Sequence, residues 1–416
     1  LDIDRKTFID INKNFYFDNI FLIIYLITFF QLTLIFYNFI KVNNFYLFTI
    51  FSFYLVLFLY FKFGFQPISG FSENIYLDRG MDGINHFGFG RIILNNIFLG
   101  NYQEAFRGSE DIFYFMPILR YINALLMILF GDNLLGSIFL ISLFAILVNK
   151  VLNILTTVKT SNILTILFLY IPIFESLGFT IINYISFTVD GYAEGITYFL
   201  LVLIVYIYLQ KNITKFHFFL MGFFSFLIIG LRPNYFILLF GLFFIYSIYL
   251  LLDTKHLRNN LFKLLFLIFG IIPIFLIPFH NYYFSNQIVL MTDDVNVLYH
   301  VKINDYFTYF NLLLQKDSDA ALTEKIINHL KHYIKIYEIW FMIILLNLFV
   351  VIFLKYSPKI KILTFACILM HSTFLFFLGD PRYSMGVWLL SFLIFIHTFG
   401  EFYYPRLKNF YYKLRV

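Results

Sequence analysis

Apolar runs long enough to cross a bilayer recur along the whole chain, and they constrain its fold more than any other feature. They lie at roughly 19–40, 45–63, 134–151, 162–181, 191–209, 216–231, 234–252, 262–280, 336–354, 361–378 and 384–400. The expectation is an all-α polytopic membrane protein of about eleven spans, forming one transmembrane domain over residues 1–416. Several runs are near 16 residues and read as tilted partners in hairpins. Composition agrees. The chain is 61% hydrophobic and 13% charged, whereas a soluble domain carries about 25% charged residues. So little charge cannot coat a soluble protein of 416 residues, and such an apolar chain is not disordered.

Two conspicuous numbers say less. Phe (61) and Tyr (32) share AT-rich codons with Ile, Asn and Lys, so base composition accounts for most of the aromatic excess. The formal net charge of +6 matters through its placement, and no nucleic-acid partner is expected. Cys367 lies alone inside an apolar run, where it reads as a small buried side chain. The chain opens on Leu1 rather than Met, without a cleavable-signal pattern, which leaves room for a preceding segment.

The loops are of two kinds. Basic residues mark Lys41; Lys150 and Lys159; Lys211 and Lys215; Lys255, Arg258 and Lys263; Lys355, Lys359 and Lys361; and the tail from Arg406 to Arg415. These alternate with pairs of spans, and the positive-inside rule puts them in the cytoplasm. The opposite loops are then extracytoplasmic: 64–133, 182–190, the Arg232-Pro233 turn, 281–335 and 379–383. Within the first, residues 115–130 follow a proline, end at Gly131 and carry Arg120; they read as a helix lying along the membrane surface. Another helix is expected from about residue 84 to 97.

Ionisable groups near a bilayer need a partner or a role, and the extracytoplasmic loops hold a short set of them. The first loop carries Glu73, Asp78, Asp82, His86, Arg91, Glu110, Asp111 and Arg120. Asp82 lies between Gly80 and Gly83, where a tight turn is expected. Asp190 and Glu194 are one helical turn apart at the mouth of a span. Asp190 also suits a helix cap, whereas Glu194 falls inside the apolar run. Arg232, in "LRPNY", stands against the positive-inside rule, either snorkelling to headgroups or binding an anion. Asp380, Arg382 and Tyr383 stand in "GDPRYSMGVW". Guanidinium groups match phosphate oxygens in a bidentate fork.

Acids and arginines gathered at one membrane surface suit the transfer of a sugar from a lipid-linked phosphate to an acceptor hydroxyl. A carboxylate would take the acceptor's proton, and arginines would hold the departing phosphate. The stretches "GMDGINHFGFGRIILNNIFLG", "FYFMPILRYINALLMILFG", "LRPNYFILL" and "PRYSMGVWLL", in that order, resemble the GT-C superfamily of integral membrane glycosyltransferases. That group includes the protein O-mannosyltransferases and the lipid A aminoarabinose transferase. The likeness covers roughly residues 64–400. "HNYYFSNQIVLMT" is similar to a further stretch of these enzymes, with His280 in place of the usual arginine.

The resemblance implies a catalytic acid at Asp82, with Asp78 competing because Met81 breaks the usual acidic doublet. It implies a second acidic site at Asp190, less surely Glu194. Lipid-phosphate contacts map onto Arg232 and Arg382. Arg120, Glu110, His86 and Tyr383 complete the expected substrate-binding set. The implied donor is a polyprenyl-phosphate sugar, and the acceptor a glycan, lipid or protein. The implied setting is a multi-pass protein of the bacterial inner membrane among membrane lipids, its site facing outward. Some relatives use a divalent metal and others do not; no compact His/Cys set decides it here, and no metal ligand is assigned. Three other classes compete, the plainest being a structural or sensing membrane protein without chemistry. A lipid-linked-saccharide flippase would place its charges near the midplane between repeats, and no repeat is evident. An O-antigen polymerase or ligase would concentrate its key residues in a late loop, whereas here the first loop is the richest.

Overall fold

The computed structural model describes residues 81–113, 117–131, 135–157, 160–165, 184, 188, 191–289, 301, 303–315, 319–376 and 381–406. Among these residues the chain is helical throughout, with no strand. The first described segment supplies α1 (Met81–Phe98), α2 (Tyr102–Arg107) and α3 (Pro117–Phe130). Next come α4 (Leu135–Leu155), α5 (Ala193–Leu209), α6 (Lys215–Leu231), α7 (Phe236–Leu252), α8 (Leu257–Ile271) and α9 (Leu276–Ser285). The last are α10 (Ile303–Gln315), α11 (Ala320–Phe353), α12 (Pro358–Thr373) and α13 (Pro381–Thr398).

Among the described residues, three stretches are long and apolar enough to cross a membrane: Pro233–Leu252, Thr254–Ser285 and Tyr383–Arg406. Shorter apolar helices accompany them, Ala193–Leu209 and Lys215–Leu231 among them. Burial separates centre from rim. Of the 17 residues of α5, 14 are buried, so its apolar surface is covered on every side. In α8 only Asn260, Leu267 and Gly270 are buried. Phe262, Leu265, Phe266, Ile268 and Phe269 of that helix face outward. A continuous apolar exterior of this kind suits acyl chains and is unfavourable in water.

Local chemistry sets the helix ends. Thr214 and His217 form a reciprocal cap at the start of α6. Asp319 accepts from the Ala321 and Leu322 amides to start α11. Ser357 and Pro358 start α12. Pro273 stands in a 3₁₀ turn, Ile272–Phe275, that joins α8 to α9.

The structure agrees with the helical reading of 115–130, since α3 runs from Pro117 to Phe130 and stops at Gly131 with φ +85°. It changes two expectations. Asp82 stands within α1, not in a tight turn between Gly80 and Gly83, because the helix already includes Met81. The end of the expected 281–335 loop is helical: α11 runs unbroken from Ala320 to Phe353. The expected spans over 19–40 and 45–63 lie outside the described residues.

The most extensive packing in the fold joins α6 to α8, and it depends on two glycines. A Cβ on Gly222 would come within 2.1 Å of the Leu267 carbonyl oxygen. One on Gly270 would meet the Phe219 carbonyl oxygen at 2.2 Å and the Phe223 nitrogen at 2.6 Å. Small residues that let backbones touch drive helix association in lipid. Gly270→Val is therefore expected to lower the unfolding free energy in detergent by about 2 kcal/mol or more. Gly400→Ala, where no atom lies within 4 Å, is expected to change it by less than about 0.5 kcal/mol. Equal stability of the two variants would contradict the close crossing.

Candidate functional site

Two arginines organise one end of the bundle. Arg120, on α3, is fully buried. Its guanidinium donates to the Gly108 carbonyl at 2.6 Å and to Glu110 Oε2 at 2.7 Å. It also lies 4.2 Å from the Phe89 ring centroid and 5.1 Å from that of Phe113. The loop after α2 is thus wrapped around one cation. Gly108 makes the wrap, with φ +61°; a Cβ there would stand 2.9 Å from the Tyr121 hydroxyl.

The far side of this loop is held by α9. His280 stacks on Phe113 with ring centroids 3.7 Å apart, and its Nε2 donates to the Arg107 carbonyl at 3.0 Å. Asn281, fully buried, accepts from the Phe113 amide at 3.0 Å and donates to the Val289 carbonyl at 2.8 Å. His280 is thus a clamp on the backbone before α3.

Arg232 ends α6 and is buried. It donates to Glu194 on α5, itself 1% exposed, in a direct ion pair. Its guanidinium lies 4.9 Å from the Tyr383 ring centroid. Asn234, two residues on, donates to the Tyr383 carbonyl at 3.2 Å. The Tyr235 hydroxyl accepts from the Gly386 amide at 3.0 Å, and Tyr198 lies edge-on to Tyr235. The "RPNY" turn thereby joins the starts of α5 and α13.

His86 connects the two arginines. It is buried on α1, and its pKa is pushed down to about 3, first by burial and then by the charges of Arg120 and Arg232. The start of α1 also touches the turn before α5. A Cβ on Gly191 would lie 2.9 Å from the Phe87 ring and 3.3 Å from the Gly83 Cα. The neighbours of Asp82 and Asp190 in sequence therefore meet.

The structure brings together His86, Arg120, Glu110, Glu194, Arg232 and Tyr383. Asp82 precedes His86 by one turn of α1, and Arg382 precedes Tyr383 on α13. Asp78 and Asp190 lie outside the described residues. Arg232 is not a solitary clamp, since it is paired with an acid, and so is Arg120. Sequence reasoning missed Tyr198, Tyr235 and Gly108. The "PNY" following Arg232 was the available signal for Tyr235. Among the described residues no three His, Cys, Asp or Glu side chains converge as a metal site.

Between α3, α6 and α9 lies an apolar cavity of about 320 Å³, with Phe113, Ile118, Leu125, Phe226 and Ile277 in its walls. It adjoins the Arg120 loop through Phe113 and His280. No protein-family model, curated protein or solved structure matches the chain.

The His86 environment fixes a pH response. A folded pKa near 3 against an ordinary 6.5 keeps the ring neutral in the fold. The unfolded chain takes up a proton below 6.5, so this contribution to stability is present above pH 6.5 and declines as pH falls toward 3. The decline is at most about 1.4 kcal/mol per pH unit. The stability advantage of wild type over His86→Leu is expected to shrink between pH 6.5 and 4.5. An advantage unchanged over that range would contradict a neutral, buried His86.

Proposed function

We propose that this chain is a multi-pass membrane glycosyltransferase of GT-C type, with about eleven spans and its site facing the extracytoplasmic side. It moves a sugar from a polyprenyl-phosphate donor to an acceptor hydroxyl on a glycan, lipid or protein. The observation that carries this reading is the cluster of His86, Arg120, Glu194, Arg232 and Tyr383 at one end of an apolar helical assembly.

In this reading the Asp82 carboxylate takes the acceptor's hydroxyl proton as that oxygen attacks the anomeric carbon. The bond from the anomeric carbon to the phosphate oxygen breaks, and the phosphate leaves with the electron pair. Arg232 is placed to stabilise that charge by exchanging its bond to Glu194 for one to phosphate, with Arg382 beside Tyr383 as the second clamp. Neutral His86 adds no competing charge. The cavity between α3, α6 and α9 has the apolar lining that an isoprenoid tail requires.

The test uses the full chain in lipid nanodiscs with a panel of polyprenyl-phosphate sugars. Asp82→Asn is expected to reduce transfer at least about a hundredfold with unchanged membrane insertion. Arg232→Lys is expected to weaken donor binding, since a point charge replaces a planar fork. Full transfer by Asp82→Asn would contradict the assignment of the base; loss with Asp78→Asn instead would move the base to that residue. A wild-type chain that moves no sugar from any of the donors would contradict the reading itself.

A further inference from the structure

The opposite end of the bundle carries a second polar feature. Leu209 lies fifteen residues beyond Glu194 on α5, about 22 Å at 1.5 Å per residue. There the C-terminal ends of α4, α5 and α11, the start of α12 and the turn after α13 surround a cavity of about 690 Å³. Lys355, Lys359, His397 and Arg406 line it, with Glu401 as its acid. Leu209, Phe353 and Phe402 are among its apolar walls.

Some of this charge has an evident structural task. Lys359 Nζ donates to the Gln210 carbonyl at 2.5 Å, and His397 Nδ1 donates to the Leu155 carbonyl at 2.7 Å. Both satisfy helix ends. Lys359 is half-buried, and its ammonium is pushed down from its usual range by burial and by Lys263. Lys355 and Arg406 are exposed cations at the same cavity, and the Arg406 guanidinium lies 3.5 Å from the Phe402 ring centroid.

Arg406 also lines a second cavity of about 700 Å³ between α11 and the end of α13. Ile343, Leu346, Val350, Phe395 and Phe399 make it apolar. The chain passes here through a π-helical turn, Phe399–Tyr403; such turns often mark functional sites. Asn347 and Tyr403 bring polar atoms into this apolar wall. Asn347 is 3% exposed, and its Nδ2 has no hydrogen-bond partner among the described residues. Its Oδ1 accepts from the Tyr403 hydroxyl at 3.5 Å. A buried amide donor calls for an acceptor.

We propose that these two cavities, which share Arg406 in their linings, together bind one anionic glycerophospholipid. Its phosphate sits at Arg406 and Lys355, an ester carbonyl accepts from Asn347 Nδ2, and an acyl chain lies along the cavity between α11 and α13. Orienting the chain in the membrane requires only basic residues near the loop. It requires neither an apolar cavity ending on Arg406 nor a buried amide without an acceptor. A free phosphate would leave the apolar walls unfilled, and an isoprenoid phosphate would bring no ester to Asn347. The site rests on the membrane reading of the chain and is independent of sugar transfer.

The test is native mass spectrometry of the full chain, stripped of lipid in detergent and then offered dioleoyl phosphatidylglycerol, dioleoyl phosphatidylcholine or a polyprenyl phosphate. A parallel thermal-shift series uses inorganic phosphate. Phosphatidylglycerol is expected to be retained and to raise the melting temperature. The other three are expected to do neither at this site. The double variant Lys355→Gln/Arg406→Gln is expected to retain phosphatidylglycerol about tenfold more weakly. Asn347→Leu is expected to weaken retention as well. Should the double variant not fold, Lys355→Gln alone, a change at an exposed side chain, is expected to weaken retention about threefold. Lys255→Gln/Arg258→Gln, basic changes in a different turn, are expected to leave retention unchanged. Any of four results would overturn the proposal: equal retention of phosphatidylcholine, equal retention of the polyprenyl phosphate, an equal shift with inorganic phosphate, or equal loss in the Lys255/Arg258 control.

Discussion

The ion pair between Glu194 and Arg232 is the interaction on which the polar end of this molecule depends. Both side chains are nearly excluded from solvent, and two lone buried charges at this place would each be costly. Paired, they fix the end of α6 to the start of α5. The arginine then lies against Tyr383 and brings in α13. The adjoining turn adds the Asn234 and Tyr235 bonds to the same helix. His86 is buried near both arginines, and burial first and the two guanidinium charges second oppose its protonation.

A second pair, Arg120 with Glu110, repeats the device in the first-loop helices. Each of these two buried arginines is paired with one acid, and the more exposed Arg107 meets two, Glu104 and Asp111. Under the proposed function, a phosphate at either buried arginine exchanges with a carboxylate rather than settling on unoccupied charge, and exchange gives selectivity. Only a ligand whose oxygens match the guanidinium fork regains what the carboxylate gave up. The other end is built differently. Its lysines and arginine outnumber its acid, they sit around open cavities, and Lys359 and the neighbouring His397 cap helix ends.

Much of the architecture was legible because it follows from periodicity and punctuation. The apolar runs at 191–209, 216–231 and 234–252 nearly coincide with α5, α6 and α7. Proline and glycine bracket α3, as the sequence suggested. The site was legible as a set of residues and not as a set of partnerships. Glu194 and Arg232 could each be singled out as charges in apolar surroundings, but their pairing is a contact 38 residues apart in sequence. His280 and Asn281 were noticed for their position. Their task on the Phe113 and Arg107 backbone depends on a fold that brings together segments 168 and 173 residues apart. The continuous α11 was hidden because its first half is polar enough to read as a loop.

A double-mutant cycle on Glu194 and Arg232, read as unfolding free energy of the full chain in bicelles, tests the central claim most directly. Glu194→Gln and Arg232→Gln alone are each expected to cost about 3 kcal/mol, because each strands a buried charge. The double variant is expected to cost well under their sum, with a coupling of about 2 kcal/mol or more. Additive losses would show that the two side chains do not depend on one another, and the account of this site as a structure built on their pairing would fail.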